Sequence, residues 1–492
     1  MTGSSLLGSA GRVVVRELTT VPRRDGIVDL DALLALLGPC DLLESADRSG
    51  WSSLAPHDLS PGLLVDDGRR TRLHHADGDV EDLGDDPAVA LDVVAERLGL
   101  DPCATAEPDL SIPFRGGLLG AFAYELGDRL LPRVPRRERE PDQHDLMLRI
   151  VGTLVAVPRT RDRALVVVDE GIQRRSAAAV LAMLEDRCRG AADTVERDTS
   201  LTGRVGSGAV RTSLPHALHV AAVEDALARI GRGETYQVNI AQQLATEVDI
   251  DLMTLYRRLR AASPASHAAL LPGAGLASIS PERFLDVTAG TVTTDPIKGT
   301  RRRADDPELD AALADDLATS MKDRAENVMV VDLERNDLGR VCIPGSVHVP
   351  SLLELRALPT VWHLVSRVRG TLRPGTTYGE LLRATFPSGS VTGAPRLAAM
   401  QAIRALEPVP RGWYCGAVGF LGRGSAALSV AIRTATLRAG TVVYGAGGGI
   451  VADSDPQDEV AETLDKAAAF LTAVDATHVT SAVGDGAAAT AR

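Results

Sequence analysis

Between Val443-Tyr444 and an Asp455-Pro456 step runs Gly445-Ala446-Gly447-Gly448-Gly449-Ile450, four glycines within five residues. Backbone without Cβ atoms can lie directly against a ligand or another strand, and few folds have a use for so long a bare stretch. A glycine-rich turn after a strand is a mark of dinucleotide-binding folds, but Ile450 stands where the third glycine of that pattern belongs. The helix that follows also opens with acids, which would repel a pyrophosphate. The reading is instead a strand-loop beside a site that takes a hard cation. Asp455 caps the next helix and Pro456 fills its first position. Glu459, Glu462 and Lys466 then fall on one stripe roughly 60° wide. Such a stripe usually forms an exposed salt-bridge ladder; the neighbouring glycines place this one at a site mouth.

A second helix has the same start, Asp306-Pro307, breaks near Thr319-Ser320, resumes through Lys322 and Asp323, and stops before Gly339. Glu326 on this helix and Glu462 on the other could give two carboxylates to an octahedral Mg²⁺, leaving water and a substrate carboxylate for the other positions. Asp323 and Glu459, three residues earlier on each face, are expected to stand behind them. Lys322 is expected to pair with Glu326 at i,i+4.

With 492 residues the chain exceeds one ordinary domain, so two lobes or one large mixed α/β body are expected. Gly190, Gly203, Gly206 and Gly208 suggest a linker over 189–214, dividing an N-terminal lobe, 20–188, from a catalytic domain, 215–472. Residues 1–20 and 476–492 read as frayed termini. Before the linker lie apolar β-branched runs such as Val13–Val15 and Ala164–Val168, and a helix at Ala177–Leu184. After it come a helix from Ala217 to Ile230 and strands at Tyr236–Ile240, Phe284–Val287 and Thr441–Tyr444. A net charge of −13 argues against nucleic acid. Five scattered cysteines, no CxxC pair, and no apolar run of membrane length point to the cytoplasm, with no signal peptide or anchor. Of 53 Lys plus Arg, three are lysines: Lys298, Lys322 and Lys466. Coding bias accounts for arginine wherever any cation suffices; an amine that can lose its proton and attack carbon must stay lysine.

Several segments carry a resemblance. Ser280-Pro281-Glu282-Arg283-Phe284, Asp295-Pro296-Ile297-Lys298-Gly299-Thr300, Ala325-Glu326-Asn327 and Asp332-Leu333-Glu334-Arg335-Asn336-Asp337 are similar, in order, to motifs of the chorismate-utilising enzymes. So are His363-Leu364-Val365-Ser366, Phe386 to Pro395, Ala431-Ile432-Arg433-Thr434 and the Gly445–Lys466 block. The N-terminal half resembles the family less densely, through Leu42-Leu43-Glu44-Ser45 and Phe114-Arg115-Gly116-Gly117. The implied fold is a large two-lobed α+β sandwich of the anthranilate synthase component I type, antiparallel sheets flanked by helices.

Within the family, water-using members carry a lysine base where this chain has Gln237, which implies ammonia as the nucleophile here. Anthranilate synthases have alanine in the PIAGT motif, whereas Lys298 gives PIKGT, the form of the aminodeoxychorismate synthases. The resemblance therefore implies amination of chorismate at C4, toward p-aminobenzoate. Glu282 would protonate the departing C4 hydroxyl and Lys298 would attack C2. His363 would stand near the ring. Arg433, Tyr414 and Lys466, with the Gly447 backbone, would hold the enolpyruvyl carboxylate. Mg²⁺ and the Gly299-Thr300 amides would hold the ring carboxylate, and Thr392 would line the pocket. An anthranilate-forming or 2-amino-2-deoxyisochorismate-forming enzyme is the alternative.

The chain departs from the family at Ser263-Pro264-Ala265-Ser266-His267, where amino-transferring relatives have Asn-Pro-x-Pro-aromatic; this argues against tryptophan feedback. It departs again at Ala461, where many relatives have Glu. None of the cysteines sits in a Gly-x-Cys-x-Gly elbow, so the ammonia is expected from a separate glutamine amidotransferase subunit.

Overall fold

A computed structural model describes residues 12–45, 50–105, 111–131, 133–137, 143–190, 209–358, 361–476 and 478–481. Its frame is two large, almost wholly antiparallel sheets with helices packed on them, an α+β architecture. One sheet runs Val13–Glu17, Leu165–Asp169, Thr153–Pro158, Trp51–Pro56, Cys40–Ser45, His267–Leu271, Leu276–Ser280, Thr434–Arg438, Thr441–Ile450, Gln237–Glu247, Ala209–Thr212 and His478–Ser481. The other joins Gly62–Asp66, Leu146–Val151 and Gly117–Phe122 to Ala417–Leu421, Ser425–Val430, Arg283–Thr288, Thr291–Asp295 and Val361–Thr371.

Both sheets are woven from both halves of the chain. Cys40–Ser45 pairs with His267–Leu271, and Gly117–Phe122 pairs with Ala417–Leu421. The segments 20–188 and 215–472 therefore do not each own a sheet. Residues 191–208 of the expected linker lie outside the described residues, but Ala209–Thr212 is a strand. It pairs in parallel with His478–Ser481, inside the segment expected to be a frayed tail. Val13–Glu17 is likewise paired rather than frayed, against Leu165–Asp169.

The inner faces of the two sheets close over a shared core. Leu154, Ala156 and Val167 from one meet Leu119, Ala121 and Val418 from the other. Phe114 stacks on Phe420 with ring centroids 4.5 Å apart, each such ring contributing about 2–3 kcal/mol by leaving water.

The helices start and stop where their caps dictate. Asp306 accepts from Glu308 N and opens Pro307–Thr319. Ser320 ends that helix through its N–H on Asp316 O and opens Met321–Gly339 by accepting from Asp323 N. Asp455 accepts from Gln457 N and Asp458 N at the head of Pro456–Lys466. No helix among the described residues is long and apolar enough to cross a membrane.

Candidate active site

The glycine run is strand, not loop. Thr441–Ile450 pairs along its length with Gln237–Glu247, setting Gly449 opposite Asn239 and Gly447 opposite Ala241. Neighbours already fill the space that Cβ atoms would take. A side chain at Gly449 would collide with Gln237 Nε2, and one at Gly445 with the Tyr414 ring. At Gly448 the added carbon would lie 3.0 Å from Glu459 Oε2. The expected close approach is made by the protein's own side chains, which cover a bare backbone floor.

Lys298 reaches this floor from the Ile297–Arg302 strand. Its Nζ donates to Ser390 O at 3.0 Å and would stand 3.6 Å from a Cβ at Gly449. Burial lowers its pKa, against the opposing pull of Glu326 and Glu282. Gly299, next to it, needs its positive φ of 84°, and a Cβ there would lie 2.7 Å from Leu317 and 3.0 Å from Asp323. Glu282 sits at the step between Leu276–Ser280 and Arg283–Thr288, 6% exposed. Burial raises its pKa to about 7, with the Ser390 hydroxyl and Lys298 opposing the rise. Gln237 is buried, and its Oε1 finds no partner among the described residues. An acid, an amine and an unspent acceptor thus share one corner.

The helices bring the other two lysines to the same place. Asn327 fastens Met321–Gly339 to the neighbouring strand, donating to Leu364 O at 3.1 Å and accepting from Ser366 Oγ at 2.5 Å. This fixes Glu326, which is half-buried and has no hydrogen-bond or ion-pair partner among the described residues. Burial raises its pKa, with Lys298 and Lys322 opposing. Glu462, exposed on Pro456–Lys466, pairs with Lys466 at 2.7 Å. What burial it has pushes its pKa up, but Lys466, with Lys322 and Lys298 behind it, holds it below the usual range. Lys466 also donates to Gly447 O at 3.0 Å.

One expectation about the acids is corrected. Lys322 does not pair with Glu326 but crosses to the other helix, meeting Glu459 at 3.2 Å. Glu459 also accepts from Ser454 Oγ at 2.6 Å, and Asp323 is engaged by Arg301 at 3.1 Å. Among the described residues no group of three or more His, Cys, Asp or Glu is arranged to hold a metal. Glu326 and Glu462 still fit a magnesium ion chemically: both are hard oxygen donors, and Glu326 is a desolvated carboxylate with no cation in contact.

The remaining expected residues divide. His363 is buried, and burial together with Arg433 and Arg356 lowers its pKa to about 4. At neutral pH it is uncharged and has no acid proton to give. Arg433 adopts a positive φ of 50° and donates to Ser263 Oγ at 3.0 Å, within the segment that departs from the family pattern. Tyr414 is part of the core. Thr392 is fully buried and donates to Ser388 O at 2.9 Å, so its hydroxyl shapes the 388–392 turn. Thr300 is exposed, opposite His363 across the strand pair. Ser390, whose carbonyl accepts from Lys298, had no role assigned from sequence; only the Ser388-Gly389-Ser390 turn chemistry could have marked it.

A family model described as chorismate binding enzyme matches residues 68–472. The chain belongs to the chorismate binding enzyme family. This family member is 37% identical over 390 residues to the aminodeoxychorismate synthase component 1 of Salmonella typhimurium, covering 78% of this chain and 81% of that protein. It is 35% identical over 469 residues to anthranilate synthase component 1 of Mycobacterium tuberculosis H37Rv, covering 90% and 89%. Its fold matches the crystal structure of anthranilate synthase component I from Streptococcus pneumoniae TIGR4 with a TM-score of 0.73 at 28% identity, over 87% of this chain and 92% of that one. The fold is thus of the anthranilate synthase component I type.

Proposed function

We propose that this chorismate binding enzyme aminates chorismate at C4, giving 4-amino-4-deoxychorismate for p-aminobenzoate formation in the cytoplasm. Ammonia would come from a separate glutaminase subunit. The observation that carries the reading is Lys298, an amine half-buried beside a carboxyl whose pKa is raised to about 7. An amine with a lowered pKa can attack C2 of the ring, while protonated Glu282 gives its proton to the C4 hydroxyl, which leaves as water. Ammonia then attacks C4 and the lysine leaves C2 as a neutral amine. Glu326 and Glu462 would hold Mg²⁺, which when bound neutralises and orients the ring carboxylate. Arg433, Lys466 and the Gly447 backbone would hold the enolpyruvyl carboxylate, and Gln237 would offer its spare acceptor to ammonia or ring.

Formation of anthranilate is the second reading, favoured by the mycobacterial relative's coverage of nearly the whole chain. Incubating the purified chain with chorismate, Mg²⁺ and an ammonium salt, then separating the isomers against standards, decides between them. The 4-amino isomer is expected; anthranilate or 2-amino-2-deoxyisochorismate as the main product would overturn the proposal. Glutamine in place of ammonium should give no product, since the chain has no nucleophile elbow to hydrolyse it.

A further inference from the structure

Two buried amides on the strand floor have nothing to bond to. Gln237 and Asn239, 1% and 7% exposed, each keep a side-chain carbonyl oxygen, Oε1 and Oδ1, with no hydrogen-bond partner among the described residues. An acceptor left so in a dry interior is destabilising. Native chains seldom carry two in one row unless something else supplies the hydrogens. Gln237 has a part in the proposed chemistry; Asn239 as yet has none.

The strand register sets both amides at the reacting corner. Residues two apart on a strand share a face, so Gln237, Asn239 and Ala241 form one row. Asn239 lies directly opposite Gly449, and the side chains of directly opposed residues stand on the same face. On that face a Cβ at Gly449 would collide with Gln237 Nε2 and lie 3.6 Å from Lys298 Nζ. The row is pinned from behind: Asn239 N donates to Thr392 O at 2.8 Å, and its backbone carbonyl accepts from Arg411 Nη2 at 2.9 Å.

We propose that Asn239 completes, with Gln237, the binding site for the ammonia nucleophile. This rests on the reading that ammonia attacks a lysine-bound ring. Neutral ammonia has three N–H donors and one lone pair. Side chains two residues apart on a strand start about 7 Å apart, and the acceptors of two N–H···O bonds from one nitrogen stand roughly 5 Å apart. One ammonia therefore bridges the two oxygens with its lone pair turned off the floor, toward the ring. That lone pair forms the C4–N bond. The ring double bonds shift, and the C2–N bond to Lys298 breaks with its electron pair returning to the lysine as a neutral amine. The positive charge of the adduct passes to the new ammonium group on C4; the water released earlier carries the proton Glu282 gave up. Arg411 at the Asn239 carbonyl and the cationic lysine of the adduct repel NH₄⁺ but not NH₃. Neither amide can take up a proton, so water held in the same place gains no nucleophilic strength.

Asn239→Leu keeps the volume and removes the acceptor, whereas Asn239→Asp keeps an oxygen there. With ammonium varied at saturating chorismate and Mg²⁺, Asn239→Leu should raise the KM for ammonium about tenfold or more. Its KM for chorismate should stay parental, and Asn239→Asp should recover part of the loss. Intact-protein mass spectrometry gives a second measurement. Chorismate and Mg²⁺ without ammonium should load the lysine adduct in Asn239→Leu as in the parent, and added ammonium should discharge it about tenfold more slowly. If Asn239→Leu does not fold, Asn239→Ala is put through the same measurements. A parental ammonium KM and discharge rate overturn the proposal. The two KM values rising together assign Asn239 to packing and overturn it too. A parent that forms neither the adduct nor the 4-amino product removes the reading on which the proposal rests; a parent that forms both, beside an indifferent Asn239→Leu, removes the ammonia site alone.

Discussion

Glu282 is kept largely protonated up to neutrality because its carboxylate would lie in a nearly dry corner. The same burial has a cost in stability. With a folded pKa of about 7, above the ordinary Glu value, the native chain holds more protons than the unfolded one between those two points. Stability therefore falls as pH rises through that window. Glu282→Gln should be more stable than the parent by up to about 3 kcal/mol at pH 8 and nearly equal at pH 4, as measured by urea unfolding. An equal difference at both pH values would show that the carboxyl is not held neutral by its surroundings. In the proposed mechanism Lys298 is the residue that decides the product. Lys298→Arg keeps the charge but cannot attack C2, and should lose most 4-amination. Lys298→Ala opens C2 to ammonia, and its products should shift to the 2-amino side. Unchanged 4-amination by Lys298→Ala would reduce the lysine to a bystander. The lysine was legible in the sequence because so few others exist; Ser390 was not, since its place beside Lys298 is set by the fold.

Helix ends were the most legible elements. Asp306-Pro307 and Asp455-Pro456 announce their own caps, and Ser320 divides the long helix near where the Thr319-Ser320 step suggested. The glycine strand was misread past Tyr444 because glycine is poor at holding an isolated strand. Here a partner strand of 11 residues supplies the order from outside. The choice between Glu326 and Glu459 as the partner of Lys322 also depends on a second helix, 137 residues away in sequence, that no local pattern contains. Because two separate helices each offer one carboxylate, loss of either should raise the Mg²⁺ concentration needed for half-maximal activity by an order of magnitude or more. Calorimetric Mg²⁺ titrations of Glu326→Ala and Glu462→Ala provide a second readout; parental binding in both would exclude these residues as ligands.

At the scale of the molecule, the sequence suggested a boundary that the sheets ignore. Composition marks a change near residue 200, but strand pairing across some 300 positions, as between Gly117–Phe122 and Ala417–Leu421, leaves no local trace. Expressed alone, residues 209–492 would expose the pairing edges of Ala417–Leu421 and His267–Leu271, and should be recovered as aggregate. Co-expression with residues 1–208 should restore soluble material in a gel-filtration assay, whereas a soluble, monomeric 209–492 fragment would contradict the interleaved architecture. The gathering of all three lysines at one cleft has a different consequence. Everywhere else the positive groups are guanidinium, which acylating reagents leave alone at neutral pH. An amine-directed label would therefore find only the chain's amino terminus and this cleft. Chorismate that protects the cleft would then be visible as a change in labelling stoichiometry, so that lysine chemistry on the intact protein becomes a report on the occupancy of its active site.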